Sequence, residues 1–267
     1  MNPPIPVDDP LDPRIADYVA LRDPHRRVAV ERTEQFFVGE GVNVVRRMIA
    51  VGSDLRSVLL TPPLFEQLAD DLDGVLAPVY VARRDVLRAT VGFDLHRGVV
   101  AAANRPADPG LDALLAAPTT RTVLALERVN DHENLGSIFR SAAGLGVDAV
   151  VLCPQCSDPL YRRCVRVSMG HVLTVPWTIT PPWPGTLQVL RAAGFTTLAL
   201  TPDADTTIRD RTRRAGERVA LLLGAEGPGL TARTLAAADE RVRIPMESGA
   251  DSLNVAVAAA IAAYALT

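Results

Sequence analysis

Lysine is absent from this chain of 267 residues, so all 28 of its Lys/Arg positions are arginine. That absence excludes the G-x-x-x-x-G-K-[ST] phosphate loop of nucleoside triphosphate enzymes. Cysteine is scarce: Cys153, Cys156 and Cys164 are the three present. An odd count in a chain whose start lacks a secretory pattern argues for reduced thiols and a cytoplasmic location. "CPQC" with Cys164 and His171 can be drawn as a zinc site, but the spacing is unconvincing, and no metal is expected. A redox pair is disfavoured because "CPQC" follows a strand without opening a helix. No run of about 18 uninterrupted apolar residues occurs, which argues against a membrane span. The opening "MNPPIPVDDPLDPR" has neither a basic start nor an apolar stretch, and residues 1–24 read as a frayed arm.

Hydrophobic residues make up 48% of the chain, enough for a sizeable core in one large domain or two modest ones. A net charge of −3 does not by itself point to nucleic acid. Arginines cluster at 25–27, 46–47, 83–84, 161–166 and 209–214. Solvated surface is the default reading of each cluster, although arginine is the better residue for bidentate phosphate contacts.

Apolar spacing divides the chain. Residues 25–104 alternate helical segments ("EGVNVVRRMIAVG", "PPLFEQLADDL", "RRDVLRATVG") with strands ("LRSVLLT", "APVYVA", "RGVVAAAN"). Residues 105–120, with three prolines and a glycine, read as a linker that "LDALLAA" interrupts with a helical turn. From 121 onward come the strands "RTVLALE", "VDAVVLC", "FTTLALT", "RVALLLG" and "ERVRIPM". Helices separate them, and a last one, "LNVAVAAAIAAYAL", follows. Strands alternating with helices predict an α/β fold with a mostly parallel sheet covered on both faces. The last helix is apolar on almost every side, which predicts burial in the core or against another subunit.

Ligands of a parallel α/β sheet sit beyond the carboxyl ends of its strands. Three loops there carry unusual residues: "VNDHENLGSIFR" (129–140), "LLLGAEGPGL" (221–230) and "IPMESGADSLN" (244–254). Gly224, Gly227 and Gly229 let a backbone take positive φ or approach a flat ligand closely. A turn without a ligand would also use them. "GLGVDA" (144–149) matches a dinucleotide fingerprint in letters but leaves a helix and enters a strand, the reverse of the required order. Ser252 is a plausible N-cap for the last helix. Asn254, a poor helix former inside the first turn, is not explained by propensity.

Taken together, these segments resemble the motifs of the SpoU/TrmH branch of the SPOUT RNA methyltransferases. Asn134, Gly136 and Arg140 match N-x-G-x-x-x-R. "LGAEGPGL" matches the second motif, and "IPM" followed by "SLNVAVAAAIAAY" matches the third. "DPLYRRCVRVSMGH" looks like the family's connecting stretch. Three motifs in order and correctly spaced cover the whole second half of the chain. Residues 25–104 look like the accessory domain of many members, similar to a small ribosomal-protein fold that grips RNA.

The resemblance implies a methyltransferase domain at 121–267 with a trefoil knot, working as a homodimer whose active site lies near the subunit boundary. It implies S-adenosylmethionine as cofactor and the 2′-hydroxyl of an RNA ribose as acceptor. Asn134, Arg140, Glu226, Ser252 and Asn254 are the catalytic candidates. Cofactor contacts are expected from Thr201, Leu223, Gly224, Ala225, Glu226 and Gly229. Ile244, Met246, Ser252, Leu253 and Asn254 complete that expected set. A guanidinium essentially never deprotonates in proteins, so Arg140 is expected to bind substrate phosphate and stabilise a developing alkoxide rather than act as base. The accessory domain points to ribosomal RNA by analogy. A transfer RNA 2′-O-methyltransferase and a non-catalytic RNA-binding protein with the same fold are the alternatives.

Overall fold

The computed structural model describes residues 3–21, 23, 30–95, 98–211, 213–247 and 252–266. Two compact units emerge: Met1–Ala107 with Leu160–Leu173, and Asp108–Pro159 with Thr174–Thr267. The arginine cluster at 25–27, His96 and Arg97 lie outside the described residues.

In the first unit the strands are β1 (Ile5–Val7), β2 (Phe36–Glu40), β3 (Leu55–Leu60), β4 (Val79–Ala82) and β5 (Val99–Asn104). Helices α1 (Val42–Ala50), α2 (Pro62–Gln67), α3 (Ala69–Leu72) and α4 (Arg84–Val91) connect them. The sheet order is β1-β4-β3-β5-β2. β5 runs antiparallel to both of its neighbours, while β1, β4 and β3 are mutually parallel. Helix α1 turns Val44, Val45 and Met48 inward, at the spacing of one helical face.

The expected frayed arm is instead built into this sheet. β1 pairs with β4, and Ile15 and Tyr18 are fully buried. The Tyr18 hydroxyl donates to the Ser57 carbonyl at 2.8 Å and accepts from the Ala102 amide at 3.1 Å. Burial pushes that phenol above its ordinary pKa. A three-residue strand containing proline gives no period to read, which is why the sequence pattern missed it.

The second unit opens with α5 (Leu111–Ala116), within the expected linker. Leu114 and Leu115 enter the unit's core, so the linker reading is corrected there. Then come β6 (Thr122–Glu127), α6 (His132–Gly144) and β7 (Ala149–Leu152). After β7 the chain leaves the unit: Leu160–Leu173, including α7 (Arg162–Val167), belongs to the first one. Within the first unit Arg162 pairs with Glu40, stacks 4.8 Å over the Phe93 ring and is 17% exposed. The "YRRCVR" cluster is therefore not simple solvated surface, and the expected 121–267 domain is not continuous in space.

The chain returns with β8 (Trp177–Ile179), α8 (Thr186–Ala192), β9 (Phe195–Leu200) and β10 (Arg218–Gly224). α9 (Ala232–Ala237), β11 (Glu240–Val242) and α10 (Val255–Leu266) complete the unit. The order β11-β9-β10-β6-β7-β8 is parallel throughout. All six residues of β6 are buried, as expected of a central strand with both faces covered. Arg211, from another cluster read as surface, is 6% exposed and forks onto Glu217.

Candidate functional site

The carboxyl ends of β6 and β10 lie side by side, with Glu127 in register with Gly224. Glu127 is 2% exposed. Its carboxylate accepts from Trp183 Nε1 (3.0 Å), Thr231 N and Oγ1 (2.9 Å each) and Thr234 Oγ1 (2.8 Å). Four donors on one buried carboxylate satisfy its charge and anchor the far end of the loop that follows β10. Sequence reasoning did not single out Glu127. The available signal was an acidic residue ending an otherwise apolar strand.

That loop folds back on itself. Ala225 and Gly229 form a bridge, with Gly229 N donating to Ala225 O at 3.0 Å. A Cβ at Gly224 would overlap the Gly229 carbonyl and the Leu230 amide. The glycine is required by backbone crossing backbone rather than by an approaching ligand. Gly227 and Gly229 take φ of 81° and 66°, the left-handed region that glycine enters without a steric penalty.

Helix α6 brings the first motif to the same end of the sheet. Asp131 caps it, its Oδ1 accepting from Glu133 N at 2.9 Å and Asn134 N at 2.8 Å. Helix α10 packs against α6 and β10 and brings the third motif. Its cap is Asn254, not Ser252 as the sequence suggested: Asn254 Oδ1 accepts from Ala256 N (3.0 Å) and Val257 N (3.2 Å). The reason is positional, since the helix begins at Val255 and the residue just before it holds the cap.

The cap fixes the rest of the constellation. Backbone amides only donate, so the Asn254 oxygen must face them and Nδ2 must face away. Nδ2 donates to Asn134 Oδ1 at 2.8 Å and to Glu226 Oε1 at 2.7 Å. One side chain thus ties together residues 28 and 120 positions away, one from each of the other two motifs. The N-terminal end of α10 also favours the negative charge of Glu226.

Beneath this bridge lies a cavity of about 460 Å³. Thr201, Leu223, Gly224, Ala225, Glu226, Gly229, Ile244, Met246, Ser252, Leu253 and Asn254 all line it. Leu200, Pro202, Gly227, Val255 and Ala258 line it too and were not anticipated as contacts, although each adjoins a residue that was or lies in a quoted motif. Its volume suits a small molecule of cofactor size. The walls suit a ligand with a flat apolar part and a cationic part: aliphatic side chains surround it, and one carboxylate stands at its rim. Ser248–Asp251, within the third loop, lie outside the described residues.

Arg140 is the exception. It stands on α6 beyond Asn134, exposed, and does not line the cavity. Its side chain makes no hydrogen bond or ion pair with the described residues, which leaves its charge available to a ligand arriving from solvent.

The model of the SpoU rRNA Methylase family matches residues 121–264. An uncharacterized tRNA/rRNA methyltransferase of Mycobacterium bovis is 50% identical over 263 residues, covering 98% of this chain and 91% of that protein. The 23S rRNA (guanosine-2′-O-)-methyltransferase of Acinetobacter baylyi is 34% identical over 190 residues, 70% of this chain and 76% of the relative. Among solved structures, the AdoMet-bound rRNA methyltransferase from Sinorhizobium meliloti superposes with a TM-score of 0.82 at 26% identity, covering 97% of this chain and 96% of that one.

Proposed function

This chain belongs to the SpoU rRNA methylase family, and from that premise we propose that it methylates a ribose 2′-hydroxyl in RNA, with ribosomal RNA as substrate. It is an RNA methyltransferase that uses S-adenosylmethionine. The observation that carries the reading is the bridge from Asn254 to Asn134 and Glu226 over the cavity. The cofactor supplies a sulfonium methyl group that is already a good electrophile.

This chain's own residues bind, orient and handle the proton. Leu223, Ile244, Met246 and Leu253 offer apolar walls to the adenosine, and the backbone of Gly224 to Gly229 offers polar groups beside them. Asn254 spends both amide hydrogens on Asn134 and Glu226. Asn134 Nδ2 then donates to the ribose and orients it, and Glu226 Oε2 accepts from its hydroxyl. Arg140 binds the adjacent phosphate, which holds the nucleotide in line and offsets charge developing on the attacking oxygen.

Three further features belong to the same reading. The chain works as a homodimer through α10. Val257 (48% exposed), Ile261 (40%) and Tyr264 (73%) recur on one open side of that helix, whose apolar pattern predicted burial in the core or against another subunit. The C-terminal part of the methyltransferase domain forms a trefoil knot. The first unit grips the RNA.

Support for the reading is direct to obtain. Total RNA incubated with the protein and methyl-labelled S-adenosylmethionine should carry label in ribosomal RNA at a phosphodiester that resists alkaline hydrolysis. Label on a base, or on transfer RNA alone, would replace the ribose or the ribosomal assignment.

A further inference from the structure

Cys153 follows β7 directly, and Cys156 stands three residues on across a tight turn. Cys156 N donates to Cys153 O at 3.0 Å, which closes the turn. A turn of this kind holds its end Cα atoms within about 7 Å, overlapping the range of about 4.4–6.8 Å that a disulfide spans. The two sulfurs are 3.8 Å apart. A bond of about 2.05 Å asks them to close by roughly 1.8 Å.

Both sulfurs also hold the chain that leads into the first motif. Cys153 Sγ accepts from Arg128 N at 3.1 Å, and the Cys156 thiol donates to Leu126 O at 3.2 Å. Arg128 sits at a φ of 59°, a conformation a non-glycine residue keeps only when its surroundings hold it. Next door, Ser157 N donates to Val129 O at 2.9 Å and the Ser157 hydroxyl to Asn130 O. Asp131, the cap of α6, comes immediately after.

We infer that Cys153 and Cys156 form a reversible disulfide by exchange with a low-molecular-weight disulfide, and that this bond loosens residues 126–131 and lowers methyl transfer. The second half of this inference rests on the function proposed above. Exchange begins at Cys156, which is partly exposed, while Cys153 is fully buried. Cys156 gives its proton to solvent, attacks one sulfur of the oxidant RSSR and releases RS⁻, which is protonated to RSH. Cys153 then loses its proton, attacks Cys156 Sγ and expels the second RS⁻. Two protein thiols are oxidised by two electrons, and RSSR becomes two RSH. The neighbouring Cys156 side chain and the Arg128 amide lower the Cys153 thiol from its ordinary value, which favours its loss of a proton in the second step. Cys156 is pushed up for the complementary reason. No helix start is needed to activate the pair; hydrogen-bond donors do it, which is why "CPQC" without a helix behind it gave no sign of redox chemistry.

Closure removes the thiol donor to Leu126 O and draws Cys153 Sγ away from Arg128 N. The backbone that sets Asp131, and through it Asn134, loses two of its restraints.

Thiol counting tests the first half. The full chain, incubated with oxidised glutathione and then alkylated after denaturation, should show one labelled cysteine, Cys164, against three after dithiothreitol. The peptide containing Cys153 and Cys156 should be lighter by two hydrogens. Three labelled cysteines, or a persistent glutathione adduct on Cys156, would overturn the disulfide. For the second half, kcat should fall by about 10- to 100-fold on oxidation and recover with dithiothreitol. Cys156→Ser, whose hydroxyl can still donate to Leu126 O, should keep its activity in the oxidant. Unchanged kcat in the oxidised protein would overturn the regulatory claim. If the reduced protein transferred no methyl to any RNA, the functional reading would fall, while the thiol count would still decide the disulfide.

Discussion

Asn254 offers a perturbation in which stability and turnover separate. Asn254→Ala removes the cap of α10 and both side-chain bonds to the other motifs. The cap is worth about 1 kcal/mol, and the two exposed bonds together about another 1 kcal/mol. The expected loss is about 2 kcal/mol in urea unfolding. Asn254→Asp keeps an acceptor toward Ala256 N and Val257 N, and aspartate caps as well as asparagine. It also gains about 0.5 kcal/mol from the helix dipole. Against that, a carboxylate now faces Glu226 Oε1 and Asn134 Oδ1 where Nδ2 had donated, a repulsion of about 1 kcal/mol near water. The two donated bonds are lost here as well, so Asn254→Asp should be about 1.5 kcal/mol less stable than the parent and still folded. Turnover should not be spared. The bridge opens in both variants, and misplacing reacting groups by about 1 Å costs roughly 100-fold. The assay is kcat/KM for transfer from tritiated S-adenosylmethionine, run beside the unfolding curves. Parent-like turnover by Asn254→Asp would refute the reasoning, because it would show that the donor joining the three motifs is dispensable.

Arg140→Ala should abolish methyl transfer while leaving S-adenosylmethionine affinity, read by calorimetry, within a few-fold, since Arg140 does not line the cavity; normal turnover would remove it from the mechanism. Gly224→Ala should abolish cofactor binding, because the added methyl overlaps the Gly229 and Leu230 backbone; unchanged affinity would contradict the loop's role as cavity wall. The Arg211 guanidinium holds the Glu217 carboxyl down from 4.5 to about 2. A depressed carboxylate stabilises the fold above its unfolded value. Up to about 3 kcal/mol should thus be present above pH 4.5 and be lost as pH falls toward about 2. Glu217→Gln should be less stable than the parent near neutral pH and converge with it at acid pH, as followed by thermal unfolding; a constant gap would show that the pair does not titrate as described.

Much of this architecture was legible in the letters. β6 and β10 are unbroken apolar runs, and a strand buried on both faces has few other compositions. The three loop motifs stand out by their combination and order: Asn134 with Arg140, the glycines at 224, 227 and 229, and Asn254 after a loop with Ser252. Their grouping at one end of the sheet follows from all six strands running parallel. Less legible were the elements that owe their form to distant neighbours. β1 is three residues long and exists because β4 offers it an edge. Arg162 reads as surface charge until Glu40 and Phe93, far away in the chain, receive it.

By itself, then, the sequence determined most of the strands and helices and which loops gather at one end of the sheet, because apolar period and turn residues act over a few positions. The tertiary structure alone decided that Asn254 rather than Ser252 caps the last helix, that Gly224 must clear its own loop, and that Leu160–Leu173 departs to the other unit. It also decided that Cys153 and Cys156 are wired to the start of the first motif. Each of these rests on hydrogen bonds and van der Waals contacts that depend on position in space, and no local pattern encodes which remote atom will be within 3 Å.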